Sequence, residues 1–213
     1  MLKPLSELDI DLARQIELVG FDVDGVLTDG GVYIGGLQLP TSNVHPPTIE
    51  SQMQQVELKC FDIQDRVGIK LLRDAGVKVV WVSGRYSEAT TLCAEEIGID
   101  ELYQDNGARK LPAFQLILER YGIRIENTAF MGDDLPDIPL LMRVGLPVTV
   151  PNATRDVAEV AEYVTETAGG QGAVREFCET LLRVRGAWHT AVTRYLAARD
   201  DVILESTNAF SIS

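Results

Sequence analysis

Three features are scarce or absent in the 213-residue sequence: cysteine, long apolar runs and an excess of basic residues. The three cysteines, Cys60, Cys93 and Cys178, form no CxxC pair, so the sequence offers neither a disulfide framework nor a zinc site. No stretch approaches the roughly 18 consecutive apolar residues that a membrane span needs. The formal net charge of −13 repels phosphate backbones, which argues against a nucleic-acid partner.

The first residues also lack the cationic start and apolar run of a secretory signal. Together with the scarcity of cysteine, this predicts a protein of the reduced cytoplasm. The apolar fraction of 46% is ordinary for a soluble globular protein, and the length fits one domain spanning residues 1–213. We therefore expect a single cytoplasmic domain with a full hydrophobic core.

Short apolar segments alternate with helix-length segments along the chain. Strands are predicted where apolar runs are bounded by Gly, Asp, Ser or Pro, at 16–22, 77–83, 128–133 and 146–150. Helices are predicted at 66–75, 86–97 and 109–121, and an amphipathic helix at 181–199. Repeated alternation of this kind predicts an α/β fold, a doubly wound parallel sheet with helices on both faces.

Polar side chains stand where the predicted strands end. Asp22 closes the first strand, Ser83 closes the second, and Asp133 and Asp134 follow in FMGDDLPD. Ligands of such sheets bind outside the carboxyl ends of the strands, so these distant segments are expected to meet in one crevice. Lys110, at the start of a predicted helix, could reach the same edge.

The stretch GFDVDGVLTDGG, residues 20–31, has the acidic and glycine-rich look of a calcium loop. An EF-hand loop starting at Asp22 needs Gly at its sixth position and Glu at its twelfth. Leu27 and Tyr33 occupy those positions, and a predicted strand rather than a helix precedes the loop. The EF-hand interpretation is therefore excluded.

Phosphoryl transfer is the chemistry that remains for this loop. Asp22, ionised at neutral pH, could attack phosphorus and form an aspartyl-phosphate. Asp24 could protonate the leaving alkoxide and later deprotonate the attacking water. Gly25 would let the chain turn sharply, so that both carboxylates face one point. The sequence thus predicts a nucleophile and an acid/base two residues apart.

An anionic nucleophile and an anionic phosphate repel each other, so a hard cation is expected between them. Mg²⁺ suits this place because it takes oxygen ligands from a few carboxylates and from the phosphate itself. Its predicted ligands are Asp22, Asp24 and Asp133, with Asp134 or Asp137 as a supporting partner.

The phosphate itself needs hydrogen-bond donors and positive charge. Ser83 and the N–H groups that follow it, beginning with Gly84, are predicted to hold phosphate oxygens at the start of the next helix. Lys110 is predicted to neutralise charge on the transferring group.

Four segments, DVDGVLTDG, VVWVSGR, ARKLPAF and FMGDDLPD, resemble in this order the motifs of the haloacid dehalogenase superfamily of phosphatases. Over roughly residues 15–185 the chain more closely resembles the 3-deoxy-D-manno-octulosonate 8-phosphate phosphatase family, which serves lipopolysaccharide synthesis. The tail GGQGAVRE, residues 169–176, belongs to that family's signature. The resemblance implies a Rossmann-like sheet, Mg²⁺, an aspartyl-phosphate, a homotetramer and the roles assigned above. It also implies a sugar substrate with a carboxylate, which Arg85 could bind through two hydrogen bonds, or Arg85 could form an ion pair within the chain.

Two stretches depart from the family pattern. Residues 64–66 read Gln-Asp-Arg where the family reads RDG, so Arg66 replaces a Gly close to the expected mouth of the site. The hairpin insertion after the first strand, at about 30–61, is longer than usual, with residues 35–52 inserted before the strand QVELKCF. Both departures bear on the sugar preference more than on the chemistry.

Large substrate-covering caps need a domain-sized insertion, and neither usual position has room for one. Residues 25–60 suffice only for a hairpin, and one helix fills 111–127. The chain is therefore predicted to be capless, with an open site. The C-terminal tail and helix span about 168–213, and the family resemblance implies that the stretch from Gly169 to Glu176 reaches a neighbouring subunit's active site and supplies a lid.

Three classes of function stay open at this point. The first is a sugar-phosphate phosphatase, whose substrate is the eight-carbon sugar acid phosphate or a 9-phosphorylated nonulosonate of the sialic-acid type. The second is a receiver-like module that keeps its phosphate, but receivers lack an acid/base such as Asp24 immediately beyond the phosphorylated Asp. The third is a catalytically silent binding or assembly subunit, which the intact set of polar residues disfavours.

Overall fold

A computed structural model describes residues 10–38, 53–107 and 109–199. Its strands are β1 (Leu18–Phe21), β2 (Tyr33–Gln38), β3 (Met53–Leu58), β4 (Lys78–Ser83), β5 (Glu101–Gln104), β6 (Thr128–Met131), β7 (Leu146–Thr149) and β8 (Tyr163–Val164). Its helices are α1 (Ile10–Gln15), α2 (Ile63–Asp74), α3 (Glu88–Ile97), α4 (Lys110–Tyr121), α5 (Ile138–Leu141), α6 (Arg155–Val160), α7 (Ala173–Val184) and α8 (Trp188–Ala197). Six strands form one parallel sheet in the order β5-β4-β1-β6-β7-β8.

The side chains of the central strands divide between two cores because successive residues of a strand point to opposite faces. In β4, Val79 and Trp81 pack in the core that α2, α7 and α8 cover, whereas Val80 and Val82 pack in the core that α4, α5 and α6 cover. Apolar residues on both faces explain why the central strands are almost continuously apolar in sequence. The predicted α/β sheet with helices on both faces is confirmed.

The four predicted strands and the three predicted helices between them are present, with boundaries shifted by a few residues. The sequence reading missed β5 and β8, which are the two edge strands and are too short to show a clear apolar pattern. The single helix predicted at 181–199 is wrong. The chain breaks there into α7 and α8 because Gly186 adopts a left-handed conformation, φ +70°, beyond the end of α7.

The predicted hairpin insertion is confirmed as β2 and β3, an antiparallel pair separate from the main sheet. Most of the predicted long loop, residues 39–52, lies outside the described residues, as does the end of the tail, 200–213. Within the described ranges, the strands of the main sheet are connected by helices and turns, and this hairpin is the only other element between them. This fits the predicted capless architecture. Across the same ranges, no helix has both the length and the apolar character for crossing a membrane.

Candidate active site

Asp22 lies directly after β1 at the carboxyl edge of the sheet, next to the start of α4. Its backbone N–H donates to the carbonyl of Met131 at 2.9 Å, which extends the pairing of β1 with β6 by one residue, to Asp22. The ammonium of Lys110, the first residue of α4, lies 2.7 Å from Asp22 Oδ1 and 2.6 Å from Asp137 Oδ1. All three charged side chains are buried. Lys110 therefore holds two carboxylates from different strand ends in one place.

Asp22, Asp133 and Asp137 form a cluster in which one carboxylate oxygen of each lies within 4.8 Å of the others. Asp137 Oδ2 accepts the backbone N–H groups of Asp133 and Asp134, at 3.1 and 3.2 Å, so its orientation is set by its own turn. Asp133 Oδ1 is buried and has no hydrogen-bond partner. Three carboxylates facing a single ammonium, one with an unsatisfied oxygen, are a donor set that fits a hard divalent cation.

The pKa values of the cluster follow from burial and from the crowding of like charge. Burial, together with the negative charge of Asp137, raises the pKa of Asp22 well above its usual range, although Lys110 opposes this. The same two causes raise the pKa of Asp133 to about 6. Burial alone would lower the pKa of Lys110, but Asp22 and Asp137 outweigh it and raise that pKa. A cation bound among these carboxylates would relieve the repulsion.

The turn after Asp22 depends on Gly25, as the sequence predicted. Gly25 has φ +94°, and a Cβ at this position would lie 2.1 Å from Asp133 Oδ2. Thr28 closes the turn, because its backbone N–H donates to the carbonyl of Val23 at 3.0 Å. Glycine is thus required both for the backbone conformation and for the close approach of Asp133.

The Asp24 carboxylate does not join the cluster to which the sequence assigned it. Its Oδ1 lies 2.7 Å from the ammonium of Lys59, and its Oδ2 lies 3.6 Å from Arg85 Nε. These two cations draw the side chain toward the hairpin, and Asp137 takes the third place beside Asp22 and Asp133 instead.

Arg85, the candidate for binding a substrate carboxylate, pairs with a carboxylate of its own chain. Its guanidinium donates to both oxygens of Glu57, on β3, at 2.6 and 3.1 Å. This hydrogen bonding is the main cause that lowers the pKa of Glu57. Ser83 is buried, and its hydroxyl donates to the carbonyl of Arg85 at 2.9 Å, which shapes the loop that contains Gly84. The Arg85 side chain is still 38% exposed.

Sequence reasoning missed Glu57 and Lys59, which the hairpin brings to the site. Both lie in QVELKCF, where charged residues alternate with apolar ones at the end of β3. That alternation was the only available signal, and it is equally typical of a strand with one solvated face. Arg66, expected near the mouth of the site, instead pairs with Glu96 at the end of α3.

The described part of the tail contacts the turn of its own chain. The N–H of Gly169 donates to Asn152 Oδ1 at 2.8 Å, and the N–H of Gly170 donates to the carbonyl of Val26 at 3.0 Å. Asn152 Nδ2 donates in turn to the carbonyl of Gly25 at 2.9 Å. A Cβ at Gly169 would lie 1.8 Å from that carbonyl oxygen, so only glycine fits there. The predicted contact with a neighbouring subunit stays a prediction.

Comparison with known proteins decides the family. A family model described as haloacid dehalogenase-like hydrolase matches residues 104–177. The 3-deoxy-D-manno-octulosonate 8-phosphate phosphatase of Escherichia coli strain K12 is 38% identical over 183 residues, which cover 86% of this chain and 88% of that protein. The chain belongs to this phosphatase family.

Solved structures of this phosphatase family share the fold. The enzyme from Moraxella catarrhalis, solved in complex with a magnesium ion, a phosphate ion and a KDO molecule, has a TM-score of 0.73 and 30% identity. That similarity covers 87% of this chain and 97% of the other. The cobalt-bound enzyme from Haemophilus influenzae has a TM-score of 0.67 and 30% identity. The similarity covers 83% of this chain and 93% of that enzyme.

Proposed function

We propose that this protein is a Mg²⁺-dependent phosphatase that hydrolyses 3-deoxy-D-manno-octulosonate 8-phosphate to the free sugar acid and phosphate, in lipopolysaccharide precursor synthesis. One observation carries the proposal: Lys110 is buried between Asp22 and Asp137, beside an Asp133 oxygen without a partner. Family membership and the relative solved with magnesium, phosphate and KDO support the substrate and the metal.

In the proposed reaction, Asp22 is the nucleophile. One of its carboxylate oxygens attacks phosphorus, the bond from phosphorus to the ester oxygen breaks, and Asp24 gives its proton to the leaving alkoxide. Water then attacks the aspartyl-phosphate, Asp24 takes a proton back, and phosphate leaves as the Asp22 carboxylate is restored. This sequence needs Asp24 protonated first and ionised afterwards.

The remaining site residues bind and orient the phosphate. Asp22, Asp133 and Asp137 would hold Mg²⁺, which supplies charge neutralisation for an approaching phosphate. Lys110 stays in contact with Asp22 and offers positive charge to the phosphoryl oxygens. Backbone N–H groups after Ser83 would bind the same oxygens.

Arg85 and Gly84 are proposed to contact the sugar acid at the open side of the site. Glu57 pairs with one side of the Arg85 guanidinium. The Arg85 side chain is 38% exposed, which leaves room for a substrate carboxylate on its other side. A guanidinium can bind two carboxylates at once because it has five donors. The same group would serve a nonulosonate 9-phosphate, so the site residues do not choose between the two sugar acids.

We also propose that the chain acts as one cytoplasmic domain and assembles as a homotetramer, with its tail near a neighbouring site. The hairpin supports assembly, because Tyr33, Ile34, Leu37 and Leu58 are large apolar residues of β2 and β3 that stand exposed. An isolated two-stranded hairpin with such a surface is marginally stable by itself. The family resemblance supports the number of subunits and the place of the tail.

The function is tested by phosphate release from the eight-carbon sugar acid 8-phosphate with Mg²⁺ or with EDTA, using wild type and Asp22→Asn. The amide is nearly isosteric but cannot form the acyl phosphate, so we expect turnover to fall by about a thousandfold or more. Wild-type phosphate release should also stop with EDTA. Turnover of Asp22→Asn near that of wild type would rule out the covalent mechanism.

A second substrate separates the sugar acids. A higher kcat/KM for a nine-carbon nonulosonate 9-phosphate would move the assignment to that substrate and leave the chemistry intact. A stable phosphoprotein that releases no phosphate would instead identify a phospho-acceptor module.

A further inference from the structure

Lys59 is a buried lysine at the end of the hairpin that no catalytic motif contains. Its side chain is 0% exposed, and its ammonium lies 2.7 Å from Asp24 Oδ1, 3.0 Å from Thr90 Oγ1 and 3.9 Å from Glu57 Oε1. Burying an ammonium costs free energy unless the charge is paired, and these three neighbours supply that pairing. Its nearest carboxylate is the acid/base of the proposed reaction.

The two oxygens of Asp24 have different surroundings. Oδ1 is buried, and its contact with Lys59 is an ion pair rather than a well-aligned hydrogen bond. The side chain as a whole is 26% exposed, so its accessible surface lies away from Oδ1. Oδ2, which lies 3.6 Å from Arg85 Nε, is on the accessible side of the carboxyl, where an ester oxygen or a water molecule can approach it.

We propose that Lys59 is a positioning residue for the acid/base Asp24: its ammonium fixes Oδ1 and leaves Oδ2 as the oxygen that exchanges the proton. The inference rests on the proposed phosphatase function. In the first step the proton on Oδ2 passes to the ester oxygen as its bond to phosphorus breaks. In the second step Oδ2 accepts a proton from water as water attacks the aspartyl-phosphate. Lys59 keeps its own protons throughout.

The anchoring of Lys59 makes this role specific. The ammonium donates to Thr90 Oγ1 on α3, while its backbone continues from β3, so two separate elements hold its position. The end of the hairpin therefore orients the acid/base. Because Lys59 is held from two sides, its ammonium keeps the Asp24 side chain in one rotamer between the two proton transfers.

The test compares two esters that differ in their need for an acid. The sugar acid 8-phosphate is an alkyl ester whose leaving alkoxide needs a proton, whereas the nitrophenolate of p-nitrophenyl phosphate leaves without one. The parameter is kcat/KM, which reports phosphoryl transfer to Asp22 and excludes the later hydrolysis of the phosphoenzyme. The variant is Lys59→Met, which keeps the length and removes the charge. The control is Lys70→Met, an exposed lysine on α2 that pairs with Asp74.

We expect Lys59→Met to lower kcat/KM for the alkyl ester by about tenfold or more, and for p-nitrophenyl phosphate by about twofold at most. Lys70→Met should leave kcat/KM unchanged for both esters. Lys59→Gln, which keeps a polar group, gives a second measurement if the methionine variant does not fold. Equal losses on both esters, or an alkyl ester rate that is unchanged or higher, would overturn the proposal. A wild type that hydrolyses neither ester would refute the phosphatase function itself.

Discussion

Asp65, on α2, is a buried carboxyl outside the acid cluster, and it makes the stability of the protein depend on pH. Its Oδ1 accepts the backbone N–H of Arg175 at 2.7 Å, in the first turn of α7, whereas its Oδ2 is buried without a hydrogen-bond partner. Burial raises the pKa of Asp65 from 3.8 to about 7, although the Arg175 N–H opposes the shift. Asp65→Asn keeps an acceptor for Arg175 and removes the titrating proton.

The sign and size of the effect follow from linkage. The stabilisation from an acid whose pKa is raised in the folded state is fully present below the unfolded pKa and is lost as pH rises through the folded pKa. Between pH 5 and pH 8 the unfolded carboxyl is already ionised, while the folded one loses its proton near pH 7. The free energy of unfolding should therefore fall by about 2.5 kcal/mol across this range through Asp65 alone, at about 1.36 kcal/mol per unit.

The assay is urea unfolding of wild type and Asp65→Asn at several pH values from 5 to 8, with EDTA throughout. The variant's free energy of unfolding minus that of wild type should rise by about 2.5 kcal/mol from pH 5 to pH 8, because the difference cancels the titration of the other acids. Asp74→Asn is the matched control, an exposed acid on the same helix that pairs with Lys70. The difference in free energy of unfolding between Asp74→Asn and wild type should not change with pH. A flat difference for Asp65→Asn would refute the reasoning.

Two further predictions concern the site. Asp133→Ala removes a carboxylate with an unsatisfied buried oxygen, so Mg²⁺ should bind about tenfold more weakly or worse by titration calorimetry; unchanged affinity would take Asp133 out of the metal site. Arg85→Lys cannot reproduce two parallel hydrogen bonds, so KM should rise for the sugar acid phosphate more than for p-nitrophenyl phosphate. Equal changes in the two KM values would assign Arg85 to its pair with Glu57 alone.

Local patterns in the sequence were sufficient to predict the four inner strands of the sheet and the edge at which polar residues after them meet. Apolar runs of strand length marked the central strands, because strands buried on both faces need apolar residues at nearly every position. Parallel strands bring their carboxyl ends to one edge, so Asp22, Asp133 and Lys110 could be placed together before any contact was known. The requirement for Gly25 followed in the same way from the turn that two converging carboxylates need.

Only the tertiary structure decided which way the side chains at that edge point. Asp24 turns toward Lys59, at the end of the hairpin, and toward Arg85, after β4, and Asp137 takes the third place beside Asp22 and Asp133. Glu57 and Arg85 are 28 residues apart in sequence and lie on different elements, β3 and the loop after β4, so the periodicity of a single helix or strand cannot relate them. Periodicity encodes which face of an element is buried, whereas the direction of a charged side chain depends on the charges that other elements bring near it.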